Sequence, residues 1–371
     1  MIKAGRGARP PARGGAGRRA LPLPPRRKGR VVTVSSGFWL EVLLYWRLAT
    51  ALAGQTRCAW RRSERAKLYL LLHLRDRIPG LAQISENLLG IQGNRKLPEW
   101  SSSPFRDEEV TSQPGNETVV LFSDTFGTWF EPQGLRDAVM VLQNSGYEVQ
   151  ALGASSSSSR LCCGRTYLSS GLLREARQEA LKVIGRLHKF VESGIPVVGL
   201  EPSCMFTIRD DYPSLVPGPD SEALASHVQL LDEFLFQEHQ KGQLKLPLQK
   251  ISQEKIWVHG HCHQKAANAT GSTLGILKTI PGLEVELIPS SCCGMAGSFG
   301  YESENYEISM KMAELSLLPK IRTLDQNHGI VACGTSCRQQ IHHGSGKSAM
   351  HTAQILRQAI SDTFIKLKEK S

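Results

Sequence analysis

"SSCCGMAGSFGY", residues 290–301, and "RLCCGRTYLSSG", residues 160–171, are two versions of one segment in a chain of 371 residues. Each sets adjacent cysteines in front of a glycine. The segments that follow them also match: "VVGLEPSC" (197–204) comes after the first and "IVACGTSC" (330–337) after the second. Recurrence in the same order is an internal duplication. It decides how everything around these segments is read.

In the first copy, "TVVLF" (118–122) is a β-branched apolar run of the kind that forms a buried strand. A helix is predicted over 133–144, where Leu135, Val139 and Leu142 share a stripe. "YEVQAL" (147–152) is a second strand, and Leu173, Ala176, Ala180, Ile184 and Leu187 mark one face of a helix over 171–190. "IPVVGL" (195–200) is the third strand. The second copy repeats the order. "KIWVHGHC" (255–262) reads as a strand ending at Cys262, with a helical segment to Thr279. "LEVELI" (283–288) is a strand, 302–324 is helical, and "GIVACGTSC" (329–337) closes the unit. Strand–helix–strand order implies parallel pairing through right-handed crossovers. The expected fold class is α/β: two duplicated small open parallel-sheet domains over 116–240 and 241–371. A basic disordered tail and helical lead-in over 1–115 precede them.

The net charge of +11 suggests nucleic acid only until it is located. Residues 1–66 hold fifteen Lys or Arg against Glu41 and Glu64, so the remainder is slightly acidic, at −2. That distribution excludes a basic duplex-binding face on the body. The first 35 residues are rich in Arg, Gly and Pro, the composition of a disordered segment, and their lack of acids leaves organelle targeting open. "GFWLEVLLYWRLATALAG" (37–54) is apolar but interrupted by Glu41 and Arg47. It is short for a membrane span and reads as an interfacial or partner-packing helix, so no transmembrane span is expected while peripheral membrane contact stays open. Nine cysteines, an odd number gathered mostly in two clusters, fit a reducing and hence cytoplasmic setting.

Binding sites in open parallel sheets gather beyond the carboxyl ends of the strands. Cys262, Cys292, Cys293, Cys333 and Cys337 follow the three strands of the second copy, so five thiols are expected on one sheet edge. Buried structural cysteine explains any one of them but not five beside Gly294, Gly297 and Gly300. Zinc prefers C-x2-C knuckles, whereas Cys333 to Cys337 is C-x3-C. Adjacent thiolates reach different irons of a multi-iron cluster more readily than they bend onto one small ion. The glycines are spaced G-x-x-G-x-x-G with no acidic ribose partner, so they suit a turn beside a cluster better than a dinucleotide. His259, His261 and His263 flank Cys262 and read either as hydrogen-bonding groups for a cluster or acidic substrate, or as plain loop histidines. His342, His343 and Cys58 match nothing further.

A cysteine, a distant CCG and a closely spaced cysteine pair, in duplicate, resemble the cysteine-rich CCG domain family. That family includes a heterodisulfide reductase subunit and the iron–sulfur subunits of glycolate and lactate oxidases. "HGHCHQKA", "CCGMAGSFGYE" and "LEPSC" are similar to the iron–sulfur, C-terminal part of FAD-linked D-2-hydroxy-acid dehydrogenases, and the likeness spans about residues 117–356. It implies a 4Fe–4S cluster, non-cubane in the reductase relatives, with Cys262, Cys292, Cys293, Cys333 and Cys337 matching a five-cysteine pattern. The C-x3-C spacing makes Cys333 the least secure of these. In the first copy Asp124 and Thr125 stand at the place of Cys262, and Leu200 at that of Cys333. Cys162, Cys163 and Cys204 are left as a weaker second site in a degenerate half, with Asp124 as a candidate non-cysteine ligand.

The resemblance implies an iron–sulfur electron-transfer protein or subunit, not catalytic alone. It would accept electrons from a flavin-dependent dehydrogenase of a 2-hydroxy acid of the lactate, glycolate or 2-hydroxyglutarate type. The chain shows no FAD-binding stretch and no C-x2-C-x2-C run. FAD is therefore expected on a partner chain or missing domain, with a ferredoxin-type module and a downstream electron acceptor as further partners. Two other readings stand beside this one. The vicinal cysteines could cycle as a thiol–disulfide, heterodisulfide-reductase-like pair, or the chain could be a non-catalytic zinc-holding scaffold.

Overall fold

The computed structural model describes residues 74–111, 117–154 and 160–361. The Arg/Gly/Pro segment, the apolar stretch 37–54, Cys58 and the serines 155–159 lie outside the described residues. What is described is α/β, with two small parallel sheets. The first runs in the order β2-β1-β3-β4 and the second β6-β5-β7. The strands are β1 (Glu117–Phe122), β2 (Tyr147–Leu152), β3 (Val197–Gly199), β4 (Val228–Leu230), β5 (Lys255–His259), β6 (Glu284–Leu287) and β7 (His328–Ala332). The first-copy order 2-1-3 recurs as 6-5-7, so the duplication seen in the motifs is also one of topology. Among the described residues no helix is long and apolar enough to cross a membrane.

Side-chain alternation along the central strands divides the interior. Val119 and Leu121 of β1, with Ile256 and Val258 of β5, turn toward one shared cluster that contains residues of both copies. Val120 and Phe122 turn instead to an outer cluster of the first copy, and Trp257 to an outer cluster of the second. The shared cluster is closed by an exchange of helices. Helix α1 (Pro132–Asn144) of the first copy packs against the C-terminal helix Thr352–Ala359, and the helix Leu231–Gln240 packs against Thr270–Leu277 of the second.

The structure departs from expectation at four places. β5 stops at His259, and Cys262 opens the helix α2 (Cys262–Ala266) rather than ending a strand. The helix expected to run on to Thr279 breaks after Ala266, because Asn268 takes a left-handed φ of 54° that no α-helix continues through. The helix expected over 302–324 begins at Tyr306 and splits into Tyr306–Glu314 and Leu317–Arg322. The restart places Pro319 in a first turn, where its missing N–H and its ring do no harm. Finally, β4 adds a fourth parallel strand beside β3. Met350 makes the equivalent parallel bridge to Val331 beside β7.

Leu356 is fully buried in the shared cluster, whereas Leu173 is 58 % exposed. Leu356→Ala should therefore cost about 2–5 kcal/mol, and Leu173→Ala less than about 0.5 kcal/mol. Urea unfolding followed by circular dichroism should show both effects in one transition. Two separated transitions would show that the copies fold independently.

Candidate metal centre

The three strands of the second sheet end on one edge, and the cysteines leave from there. Cys262 is the first residue of α2. Cys292 and Cys293 lie in the loop after β6, and Cys337 lies in the first turn of α3 (Thr335–Ser345). Cys262 Sγ is 3.5 Å from Cys292 Sγ. A ring nitrogen of His259 and the sulfurs of Cys293 and Cys337 lie within 4.8 Å of one another. Four thiols and an imidazole thus share one pocket. Cys293 and Cys337 form its buried floor, and Cys262 and Cys292 its half-buried rim.

Cys333 goes elsewhere, for a reason set by the strand. Ile330 and Ala332 of β7 face the outer cluster, Val331 faces the shared one, and the next residue along, Cys333, follows Val331. Its sulfur rests 3.3 Å from Thr352 Oγ1 and 3.7 Å from Asp232 Oδ2. The expected set of five is brought together as four, with His259 beside them.

The CCG turn depends on its glycine. Gly294 has φ 90°, and a Cβ there would overlap the Ser309 carbonyl. Its N–H donates to Cys292 Sγ at 3.3 Å, which favours a thiolate. The same carbonyl accepts from Gln340 Nε2 (3.1 Å), and Gln340 Oε1 accepts from the guanidinium of Arg95 (2.6 Å). Arg95 is 2 % exposed and is flanked by the rings of Tyr301 and Tyr306. The lead-in is thereby clamped onto the cysteine loop, and Gln92 N–H adds a bond to the Tyr301 carbonyl. Arg95 carried no sequence signal, since its partners lie some two hundred residues away.

Positive groups surround the thiols. Lys265 Nζ donates to the carbonyls of Ser290 and Ser291 at the rim. Burial lowers its pKa, and the four clustered thiols Cys262, Cys337, Cys292 and Cys293 oppose that. The bonds from Cys262 and Cys293 hold Cys292 well below the ordinary thiol range. Cys293 does the same for Cys337, with His259 and His261 beside it adding to the effect. The first-turn placement of Cys337 adds the helix dipole, worth about 0.3–1 kcal/mol. His261 is occupied otherwise: its Nδ1 accepts from His263 N–H (3.2 Å) and caps α2. His259 is 1 % exposed. Its Nδ1 lies 2.8 Å from Ser290 Oγ, and its Nε2 is buried without a hydrogen-bond partner.

The first copy repeats the scaffold without the chemistry. Strand ends align Phe122 with His259, Asp124 with His261 and Thr125 with Cys262, while Leu200 aligns with Cys333 and Cys204 with Cys337. Cys162, Cys163 and Cys204 do come together there, and Gly164 N–H donates to Cys162 Sγ at 3.5 Å as Gly294 does to Cys292. None of these thiols is held low. The bond to Cys163, with burial, raises Cys162. The bond from Cys163 lowers Cys204, but burial and the Asp124 and Glu201 carboxyls outweigh it and push Cys204 up to about 12. Asp124 acts as a helix cap: Oδ1 accepts from Phe126 and Gly127 N–H (2.9 Å each), while Oδ2 is buried without a hydrogen-bond partner. Burial and the Glu201 charge raise its carboxyl to about 7.

Between the copies lies a polar cavity of about 460 Å³, lined by Asp124, Glu131 and Glu201 from one side and Cys333, Arg338 and His351 from the other. Arg338 pairs with Glu131, and Glu201 accepts from Thr335 N–H at 2.8 Å, capping the helix that carries Cys337. These latch residues were not anticipated. The only hint in the sequence is that Arg338 adjoins a cysteine.

No protein-family model matches the chain. It is 29 % identical over 286 residues to one subunit of the anaerobic glycerol-3-phosphate dehydrogenase of Escherichia coli K12, covering 75 % of this chain and 69 % of that one. It is 27 % identical over 255 residues to D-2-hydroxyglutarate dehydrogenase of the same organism, covering 68 % of this chain but 24 % of that protein. Lactate utilization protein A of Oceanobacillus iheyensis is 27 % identical over 187 residues, covering 48 % of this chain and 70 % of that one. Homologues of these three kinds are consistent with a CCG iron–sulfur domain of the FAD-linked dehydrogenases, which the duplicated motifs resemble.

Proposed function

We propose that the chain is an iron–sulfur electron carrier that serves a flavin-dependent dehydrogenase of a small hydroxylated acid. The observation that supports this best is the gathering of Cys262, Cys292, Cys293 and Cys337 at one sheet edge, with Cys292 and Cys337 held toward the thiolate form. Soft thiolates in a partly dry pocket fit an iron–sulfur group. His259 Nε2 is buried in this pocket without a hydrogen-bond partner. These four cysteines would hold a 4Fe–4S cluster, with Cys333 outside the set. When bound, such a cluster supplies reversible one-electron transfer.

The chain's own residues account for the rest. Gly294 lets the backbone approach the thiolates, and Lys265 offsets part of their negative charge. The buried floor at Cys293 and Cys337 keeps water away from one side. The half-buried rim at Cys262 and Cys292 is the natural side for exchange with a partner. C–H activation belongs to a flavin or nicotinamide, so FAD would sit on a partner chain or a further domain. The relatives' names point to glycerol 3-phosphate, D-2-hydroxyglutarate or lactate as the kind of compound oxidised upstream. A reduced-thiol cytoplasmic location suits this role, with 116–240 as a supporting repeat and 241–371 as the cluster-holding one.

Two outcomes test the proposal. After anaerobic reconstitution, Cys293→Ser should lose most of its iron and Cys163→Ser should keep most of it. Equal losses would mean a shared or second cluster. Alone, the iron-loaded chain should oxidise none of these compounds with artificial acceptors. Adding a flavin dehydrogenase and its substrate should bleach the brown absorbance. Turnover by the isolated chain, or a colourless protein holding zinc or titratable disulfides in place of iron and sulfide, would overturn the reading.

A further inference from the structure

Four thiols leave the imidazole of His259 without a role. One ring nitrogen, Nδ1, is taken up by Ser290 Oγ at 2.8 Å, and that hydroxyl also reaches the Ile288 carbonyl at 3.3 Å. That leaves Nε2. That nitrogen is buried without a hydrogen-bond partner, in a residue whose ring lies against Cys293 and Cys337. A histidine held by a hydrogen bond at one ring nitrogen, with the other buried beside thiols and without a hydrogen-bond partner, has the arrangement found around ligating histidines.

We propose that His259 Nε2 is a nitrogen ligand to iron in the centre formed with Cys262, Cys292, Cys293 and Cys337. The inference rests on the cluster reading above. The lone pair of Nε2 would form the bond while the ring proton stays on Nδ1, whose N–H then donates to Ser290 Oγ. Strand alternation supplies the placement. Trp257 of β5 faces the outer cluster with Cys293 and Cys337, and His259, two residues on, follows it to the same face. His261 is spent on capping α2 and does not compete. The first copy has Phe122 at the register of His259, so it lacks this donor together with the thiol at Thr125.

Replacing one thiolate-type donor by neutral imidazole raises the potential of an iron–sulfur centre. The full chain, labelled with ¹⁵N-histidine, would be reconstituted anaerobically with iron and sulfide, reduced with dithionite and examined by pulsed EPR. A strongly coupled histidine nitrogen is expected in the native protein. It should be lost in His259→Gln while iron and sulfide are kept, and retained in His261→Asn, where asparagine preserves the cap. His259→Cys should shift the midpoint potential to more negative values. The native spectrum stands whether or not a variant folds. A full complement of iron and sulfide without nitrogen coupling, or coupling that survives His259→Gln, overturns the ligand assignment and leaves the cluster reading intact. Failure of the native chain to take up iron and sulfide overturns both.

Discussion

β5 lies between β6 and β7, and all three run parallel. Parallel strands cannot be joined by tight turns, so the chain must leave every strand at the same edge and return over a face. Cysteines just beyond three strands, far apart in sequence, are delivered to one place by that constraint alone. Alternation of side chains across the sheet then sorts them. Residues in phase with Trp257, Ile330 and Ala332 meet the outer cluster, and those in phase with Val331 meet the shared core.

Two supports hold the edge in shape. The first is the close approach of Gly294 to Ser309, continued through Gln340 to Arg95, which ties the lead-in to the cysteine loop. Removing one partner from such a buried polar chain leaves another unsatisfied, at about 1–3 kcal/mol. The second is the latch between copies, in which Arg338 pairs with Glu131 and Glu201 caps the helix of Cys337. The degenerate copy thus has a physical use that needs no cluster of its own. Its carboxylates fix the helix that presents a thiol in the other copy.

The contrast between the copies lies in how each holds its thiols. Thiols in the second copy sit beside Lys265, His259 and His261, and two of the four are held low. In the first, the bond with Cys163 and burial push Cys162 up, and burial with the Asp124 and Glu201 carboxyls pushes Cys204 up. The same backbone scaffold therefore favours the thiolate at two positions of one edge and at none of the other.

The duplication, the α/β class, the succession of parallel strands and helices within each copy and four of the candidate ligands were legible in the residues. They depend on local periodicity and on a topological rule that holds for any parallel sheet. The strand end at His259 and the helix breaks at Asn268 and before Pro319 were less legible, because they turn on single backbone conformations. Tertiary structure alone decided the shared core, the exchange of C-terminal helices and the burial of Arg95, since each joins segments that carry no mark of one another. It also decided which thiols face each other. Cys333 and Cys337 stand four residues apart in one motif, yet the pleat of β7 turns the first toward Asp232 and the turn of α3 brings the second to His259. Spacing along a chain cannot express that difference, because it depends on which face of the sheet each neighbour covers.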